Sequence, residues 1–155
     1  MKGKPETVFA GIFAVLFSWI GILIIPVLAL IAFNILDYVT RFIAVKANGG
    51  KIESKKSIGG IYKKAGMWCL IAACAVVDLV LVYCVEFIGI ALPFKFIIAT
   101  IVAIWLVFNE FISILENISY GGTKFPDFVV KFANKVLGKM ETKGQEIVDT
   151  VDKEE

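Results

Sequence analysis

The chain has 155 residues, of which 59% are hydrophobic, with a mean hydropathy of +0.84 and a net charge of +2. Water-soluble globular domains are less apolar than this, so the composition excludes them and predicts a small integral membrane protein. The sequence contains no histidine, which removes the commonest general base and metal ligand from any proposed site.

The first apolar segment is long enough for two membrane crossings. No charged residue occurs between Thr7 and Leu36, whereas one spanning helix needs only about 20 residues. Pro26 lies near the middle of this segment, where it would end or kink a helix. We expect a hydrophobic hairpin with arms at residues 8–24 and 26–45; a single long kinked helix is the alternative.

Two further spans follow, at residues 65–85 and 96–114, separated by a short turn at residues 86–95. Lysines are concentrated between residues 46 and 64, and cytoplasmic loops carry such an excess. We therefore expect this stretch to be cytoplasmic and the 86–95 turn to be outside. Four segments place both termini in the cytoplasm, whereas three segments would place the N-terminus outside. In either case residues 1–122 form the transmembrane domain.

The C-terminal region divides into an amphipathic helix at residues 123–140 and an acidic tail at residues 141–155. Apolar residues recur every three or four positions, and lysines recur on another face at Lys131, Lys135 and Lys139. A basic amphipathic helix is typical of an anionic membrane surface, and packing against a partner helix is the alternative. The apolar positions are Phe125, Phe128, Val129, Phe132, Val136, Leu137 and Met140.

Ionisable and amide residues inside the spans are the candidates for function, because they are expensive in a bilayer. Asp37 and Arg41 are four residues apart, a spacing that allows an ion pair on one helical face. Asp78 lies deep in the first of the two later spans, residues 65–85. The last span carries a polar stripe spaced by three and four residues, which we expect to line a pore or contact other helices. Its members are Asn109, Glu110, Ser113, Glu116, Asn117 and Tyr120.

Catalysis and cofactor binding are not indicated. The chain has no nucleophile–base pair and no glycine loop that would hold phosphate. Cys69, Cys74 and Cys84 lack the spacing of a metal site and are expected to be apolar helix residues. The aromatic residues lie in apolar runs, so no nucleic-acid partner is expected. We expect no enzyme activity, no metal and no cofactor.

Three segments in order resemble phage holins of the toxin-secretion/phage-lysis type. They are Asp37-Tyr38-Val39-Thr40, the loop from Ser54 to Lys64 that leads into the span with Asp78, and the segment from Asn109 to Asn117 that leads to Gly121 and Pro126. The resemblance covers roughly residues 25–130. It implies an all-α, small polytopic membrane protein, here with an N-terminal hydrophobic hairpin, two further transmembrane helices and a C-terminal amphipathic helix.

The resemblance also implies a function. The protein would accumulate in the bacterial cytoplasmic membrane, form homo-oligomers in the lipid bilayer and open a lesion for an endolysin or a toxin. Any antiholin would be a separate protein, since the next methionine, Met67, is too late for a second start. One alternative is a small transporter or channel subunit with a midplane carboxylate site formed by Asp78 and Glu110. Another is a membrane-anchored adaptor whose tail binds a partner.

Overall fold

The computed structural model describes residues 21–51, 54–124 and 126–151, and this part of the chain is all-helical. A short 3-10 turn, Gly21–Leu23, precedes α1, Ile24–Ala47, which is followed by α2, Ser54–Phe87, α3, Ile97–Tyr120, and α4, Asp127–Val151. Three segments here are long and apolar enough to cross a membrane, Gly21–Ala47, Ser57–Phe87 and Ile97–Tyr120. The predicted all-α membrane fold is confirmed.

The start of α1 agrees with a break in the first apolar segment. Gly21 has a φ of +56°, which lies in the left-handed region, and Pro26 is in the first turn of α1. A proline is tolerated there because the first helical N–H groups have no intrahelical acceptor. The first arm of the predicted hairpin, except for its last few residues, lies outside the described residues.

The three membrane helices end in the same way. Gly49, Gly89 and Gly122 each follow the last helical turn with a positive φ. In each case the glycine N–H and the next N–H bond back to carbonyls in the final turn, as in a Schellman motif. Glycine is suited to these positions because it adopts the left-handed conformation without a Cβ clash. The glycines that mark turns in the sequence therefore terminate helices.

The membrane helices pack with α1 and α3 parallel to each other and α2 antiparallel to both. Asp37 of α1 contacts Ser113 of α3, and Asn48 at the C-terminal cap of α1 contacts Tyr120, so the two helices run in the same direction. On α2 the order is reversed, because Lys64 contacts Glu110 whereas the later residue Asp78 contacts Ile98. Consequently α1 and α3 end where α2 begins. The apolar core between them is formed by Leu23, Leu30, Met67, Ile71, Phe96, Ala99, Ala103 and Leu106.

Two helices are longer than their predicted spans. The sequence predicts that the span after the basic loop begins at residue 65, but α2 already begins at Ser54 and includes most of that loop. Lysines are good helix formers, and helical structure extends readily beyond the hydrocarbon into water. Likewise α3 continues from the predicted end at residue 114 to Tyr120, which brings the whole polar stripe onto one helix.

The C-terminal helix α4 packs antiparallel to α3. Val130 lies beside Tyr120, and Met140 lies beside Ile101, near the opposite end of α3. Ala133 is the most buried residue of the contact face. The helix runs past residue 140 to Val151, so part of the predicted acidic tail is helical. The outer face carries the three lysines, and also two exposed phenylalanines, Phe128 at 69% and Phe132 at 60%.

Candidate functional site

The ammonium group of Lys64 joins all three membrane helices. Its Nζ lies 2.9 Å from Oδ2 of Asp37 on α1 and forms a second, close ion pair with Glu110 on α3. The same nitrogen donates to Oδ1 of Asn34 on α1 at 3.1 Å. An ammonium group has three N–H donors, so each of them has an acceptor here. Lys64 is thus the centre of what we call the polar cluster: Asn34, Asp37, Thr40, Lys64, Glu110, Ser113 and Asn117.

The other carboxylate oxygen of Asp37 connects α1 directly to α3. Its Oδ1 accepts a hydrogen bond from Oγ of Ser113 at 2.7 Å and another from Nδ2 of Asn117 at 2.9 Å. The Asn117 amide also donates to Oγ1 of Thr40 at 3.3 Å. Because Glu110, Ser113 and Asn117 are spaced by three and four residues, one face of α3 supplies all the partners.

The polar cluster is deeply buried. Only 8% of Asp37 and 2% of Glu110 is exposed, and both residues lie roughly 20 Å along their helices from Ile24 and Ile97. A charge at such a depth is expensive unless it is paired and its remaining donors and acceptors are satisfied. Every buried side-chain nitrogen and oxygen in the described residues has a hydrogen-bond partner. The cluster therefore connects α1, α2 and α3 by ion pairs and hydrogen bonds inside a largely apolar bundle.

Asp78 serves a separate purpose at the other end of the bundle. Its two carboxylate oxygens accept the backbone N–H groups of Ile98, at 3.0 Å, and Ala99, at 2.8 Å. These amides lie in the first turn of α3, where no intrahelical carbonyl can accept them. Phe96 at the N-cap position makes no side-chain cap. A carboxylate from the middle of α2 therefore caps α3, with a favourable position at the positive end of the helix dipole.

The remaining predicted residues lie outside these contacts. Arg41 is on an exposed face of α1 with its guanidinium close to Gly60, and Asp37 pairs with Lys64 instead of with Arg41. Asn109 and Glu116 line a groove between α2 and α3. The polar stripe is thus divided between two faces of α3. Glu110, Ser113 and Asn117 face α1 and α2, whereas the other members face away from the polar cluster.

Lys64 was not among the residues predicted for the site, because its position next to Lys63 is typical of the basic flank of a span. A signal for it was present. Lys64 and Asp78 are 14 residues apart, close to four helical turns, which places them on the same face of α2. The buried residues Met67 and Ile71 share that face. A lysine on the apolar, inward side of a helix needs an acid on a neighbouring helix, and two acids were available.

A comparison with known protein families finds a match over most of the chain. A model of the bacteriophage holin family matches residues 14–137, which is most of the chain and includes all of the polar cluster. The chain belongs to the bacteriophage holin family. The resemblance found in the sequence is thereby confirmed, and the holin is a multi-pass membrane protein. No curated protein matches the chain, and no solved structure matches it.

The polar cluster of this holin is held by ion pairs and hydrogen bonds. The described residues contain no group of histidine, cysteine or acidic side chains that would hold a metal ion, and the holin family is not an enzyme family. The polar cluster connects α1, α2 and α3 and keeps its own polar side chains away from lipid. In this conformation α1 and α2 cover the face of α3 that carries Glu110, Ser113 and Asn117.

Proposed function

We propose that this holin forms homo-oligomers in the bacterial cytoplasmic membrane and opens a lesion through which an endolysin or a toxin leaves the cell. The observation that carries the proposal is the buried polar cluster of a holin-family chain. The three spans in the described part of the chain are too few to enclose a wide lumen, since helices about 10 Å wide close on one another. A lesion therefore needs several copies, and water inside it must meet polar side chains.

The polar cluster supplies those side chains. In the closed bundle Asp37, Lys64 and Glu110 satisfy one another, so that these three charges are kept out of contact with lipid. When copies assemble and the helices separate, water can replace these partners without leaving any charge in hydrocarbon. The cluster then lines the lesion. This role explains why charges are kept in a bundle where apolar side chains would pack at lower cost.

Inducible expression in a bacterial host tests the proposal. We expect loss of membrane potential after a delay, followed by release of a co-expressed cytoplasmic muralytic enzyme and a fall in culture density. A fixed three-span membrane protein expressed to the same level is the control, and it should leave both quantities unchanged. Holin present in the membrane without loss of potential, or with leakage of ions but never of the folded enzyme, would contradict the proposal.

We expect the loop between α1 and α2 and the turn after α3 to be cytoplasmic. Asn48 donates to the Tyr120 carbonyl at 2.7 Å, so the two ends lie together, and the lysines there favour the inside. Below lytic expression, in a chain without its native cysteines, an impermeant maleimide should not label Lys51→Cys or Lys124→Cys. It should label Ile88→Cys at the opposite end, and the reverse pattern would invert the topology.

The helix α4 is proposed to lie at the membrane surface when the protein is embedded. On α3 its outer lysines would face hydrocarbon, at a cost of about 2.5–3.5 kcal/mol for a residue at the bilayer centre. At the interface the same lysines reach anionic headgroups, while Phe128 and Phe132 enter the acyl boundary. This is the position that the sequence predicts for residues 123–140.

The transporter alternative predicted a shared site of Asp78 and Glu110 at the midplane. The structure places the two carboxylates at different levels of α3. Asp78 binds the amides of Ile98 and Ala99, whereas Glu110 lies about 17 Å further along the helix. The pair does not form one site in this conformation, and the holin proposal is the one that the geometry supports.

A further inference from the structure

A groove between α2 and α3 presents polar side chains that the polar cluster does not use. Its lining comes from these two helices in the described part of the chain. Lys63 and Glu116 are exposed, Asn109 is half-buried, and Gly66 opens the groove opposite Asn109. Within residues 21–51, 54–124 and 126–151, the side chains of Lys63, Asn109 and Glu116 have neither a hydrogen-bond nor an ion-pair partner.

The lack of a hydrogen-bond partner among the described residues is energetically costly for Asn109 because of its depth in the membrane. Asn109 is near the centre of α3, roughly 18 Å from Ile97 and 17 Å from Tyr120. An amide at that depth has a donor and an acceptor that lipid tails cannot satisfy. Asparagine in the middle of a membrane helix accordingly favours a hydrogen bond to another helix. Gly66 would allow that helix to approach, because no atom lies within 4 Å of a Cβ built on it.

The two charged residues of the groove converge on one depth. The side chains of a helix tilt toward its N-terminus. Lys63 therefore extends toward the end of the bundle where α2 begins, and Glu116 on the antiparallel α3 extends in the opposite direction. The contacts of Asp78 and Lys64 with α3 place Lys63 at about the level of Ile112, one turn deeper than Glu116. Because the two side chains tilt toward each other, the ammonium group of Lys63 and the carboxylate of Glu116 reach about the same depth in the membrane.

We propose that a second copy of this chain binds in this groove, related by a two-fold axis along the membrane normal. Residues at equal depth meet across such an axis. Lys63 of each copy then faces Glu116 of the other, and the two Asn109 amides, each with donor and acceptor, bond to each other. The proposal rests on the assembly step of the proposed function and names the surface that begins it.

Crosslinking in membranes tests the proposal. In a chain with Cys69, Cys74 and Cys84 replaced by alanine, Gly66→Cys should form dimers with a short, lipid-permeable bis-maleimide. Ala65→Cys is the matched control, since it is exposed at the same depth but about 100° around the helix. Equal crosslinking of the two variants, or none for Gly66→Cys, would overturn the proposed interface.

Substitutions in the Gly66→Cys chain examine each contact. We expect Asn109→Leu to weaken association about tenfold, and Asn109→Gln, which keeps the amide, to retain most of it. Lys63→Glu and Glu116→Lys should each reduce dimers, and the double reversal should restore them. A double reversal no better than either single variant would contradict the Lys63–Glu116 contact.

The crosslinking result is independent of lysis. Lysis without a specific dimer of the Gly66→Cys chain would contradict the proposed interface but not the holin function. A specific dimer without any loss of membrane potential would contradict the proposed function but not the interface. Insertion of each variant is checked by resistance of the membrane fraction to carbonate extraction.

Discussion

Replacing Lys64 by methionine is expected to destabilise the bundle by about 3–5 kcal/mol, because two buried carboxyl groups lose their shared ammonium partner. Methionine is close to lysine in length and is a good helix former, so the helix itself should be unaffected. The free energy of unfolding is measured in detergent by titration with a denaturing detergent, followed by circular dichroism.

The adjacent residue provides the control. Lys63→Met makes the same chemical change at an exposed position without an intramolecular partner, and the expected effect is within about 0.5 kcal/mol for the monomer. Replacing Asp37, Lys64 and Glu110 together by asparagine, methionine and glutamine should recover part of the loss, since no charge then lacks a partner. A Lys64→Met chain as stable as the wild type would contradict the role given to the polar cluster.

The second large effect is expected for Asp78→Ala, which leaves the N–H groups of Ile98 and Ala99 without an acceptor. Loss of a cap costs about 0.5–2 kcal/mol, and each buried group left unsatisfied costs about 1–3 kcal/mol. We expect a destabilisation of about 2–3 kcal/mol, with faster hydrogen exchange confined to the first turn of α3.

Asp78→Asn retains an amide oxygen that can accept one of the two hydrogen bonds, so its loss should be smaller. Glu86→Ala removes an exposed acid from the same helix and should change neither stability nor exchange. Uniform acceleration of exchange along α3 in the Asp78→Ala chain would argue that Asp78 acts through the bundle as a whole. In that case its role as a local cap would be wrong.

Much of the fold follows from the sequence, because long apolar runs and terminal glycines have few structural solutions in a membrane. The later spans, the turns at Gly49 and Gly89 and the family resemblance were all predicted. The start of α2 at Ser54 was not predicted, because hydropathy indicates where a helix enters the hydrocarbon and not where the helix itself begins. Lys64 was misplaced for the same reason.

The division of the polar stripe was also missed, although its physical cause is simple. Successive residues of a helix are rotated by about 100°, so Glu110, Ser113 and Asn117 lie on one face of α3. Asn109 and Glu116 lie on another face, about a quarter-turn around the helix. The sequence spacing of three and four residues does not separate these two faces. Which face is covered depends on where α1 and α2 pack, and that depends on contacts between distant parts of the chain.

The residues of the polar cluster are synthesised at different times, because they are far apart in the sequence. A ribosome delivers Asp37 first, then Lys64, and Glu110 and Asn117 last, because the chain emerges from its N-terminus. Asp37 can pair with Lys64 once α2 has entered the membrane, whereas Glu110 joins this pair only after α3 has been synthesised. A nascent chain that stops before Asn117 carries an incomplete cluster, with Asp37 lacking a donor that only the end of α3 provides. The polar cluster is therefore complete only after Asn117 has been added to the chain.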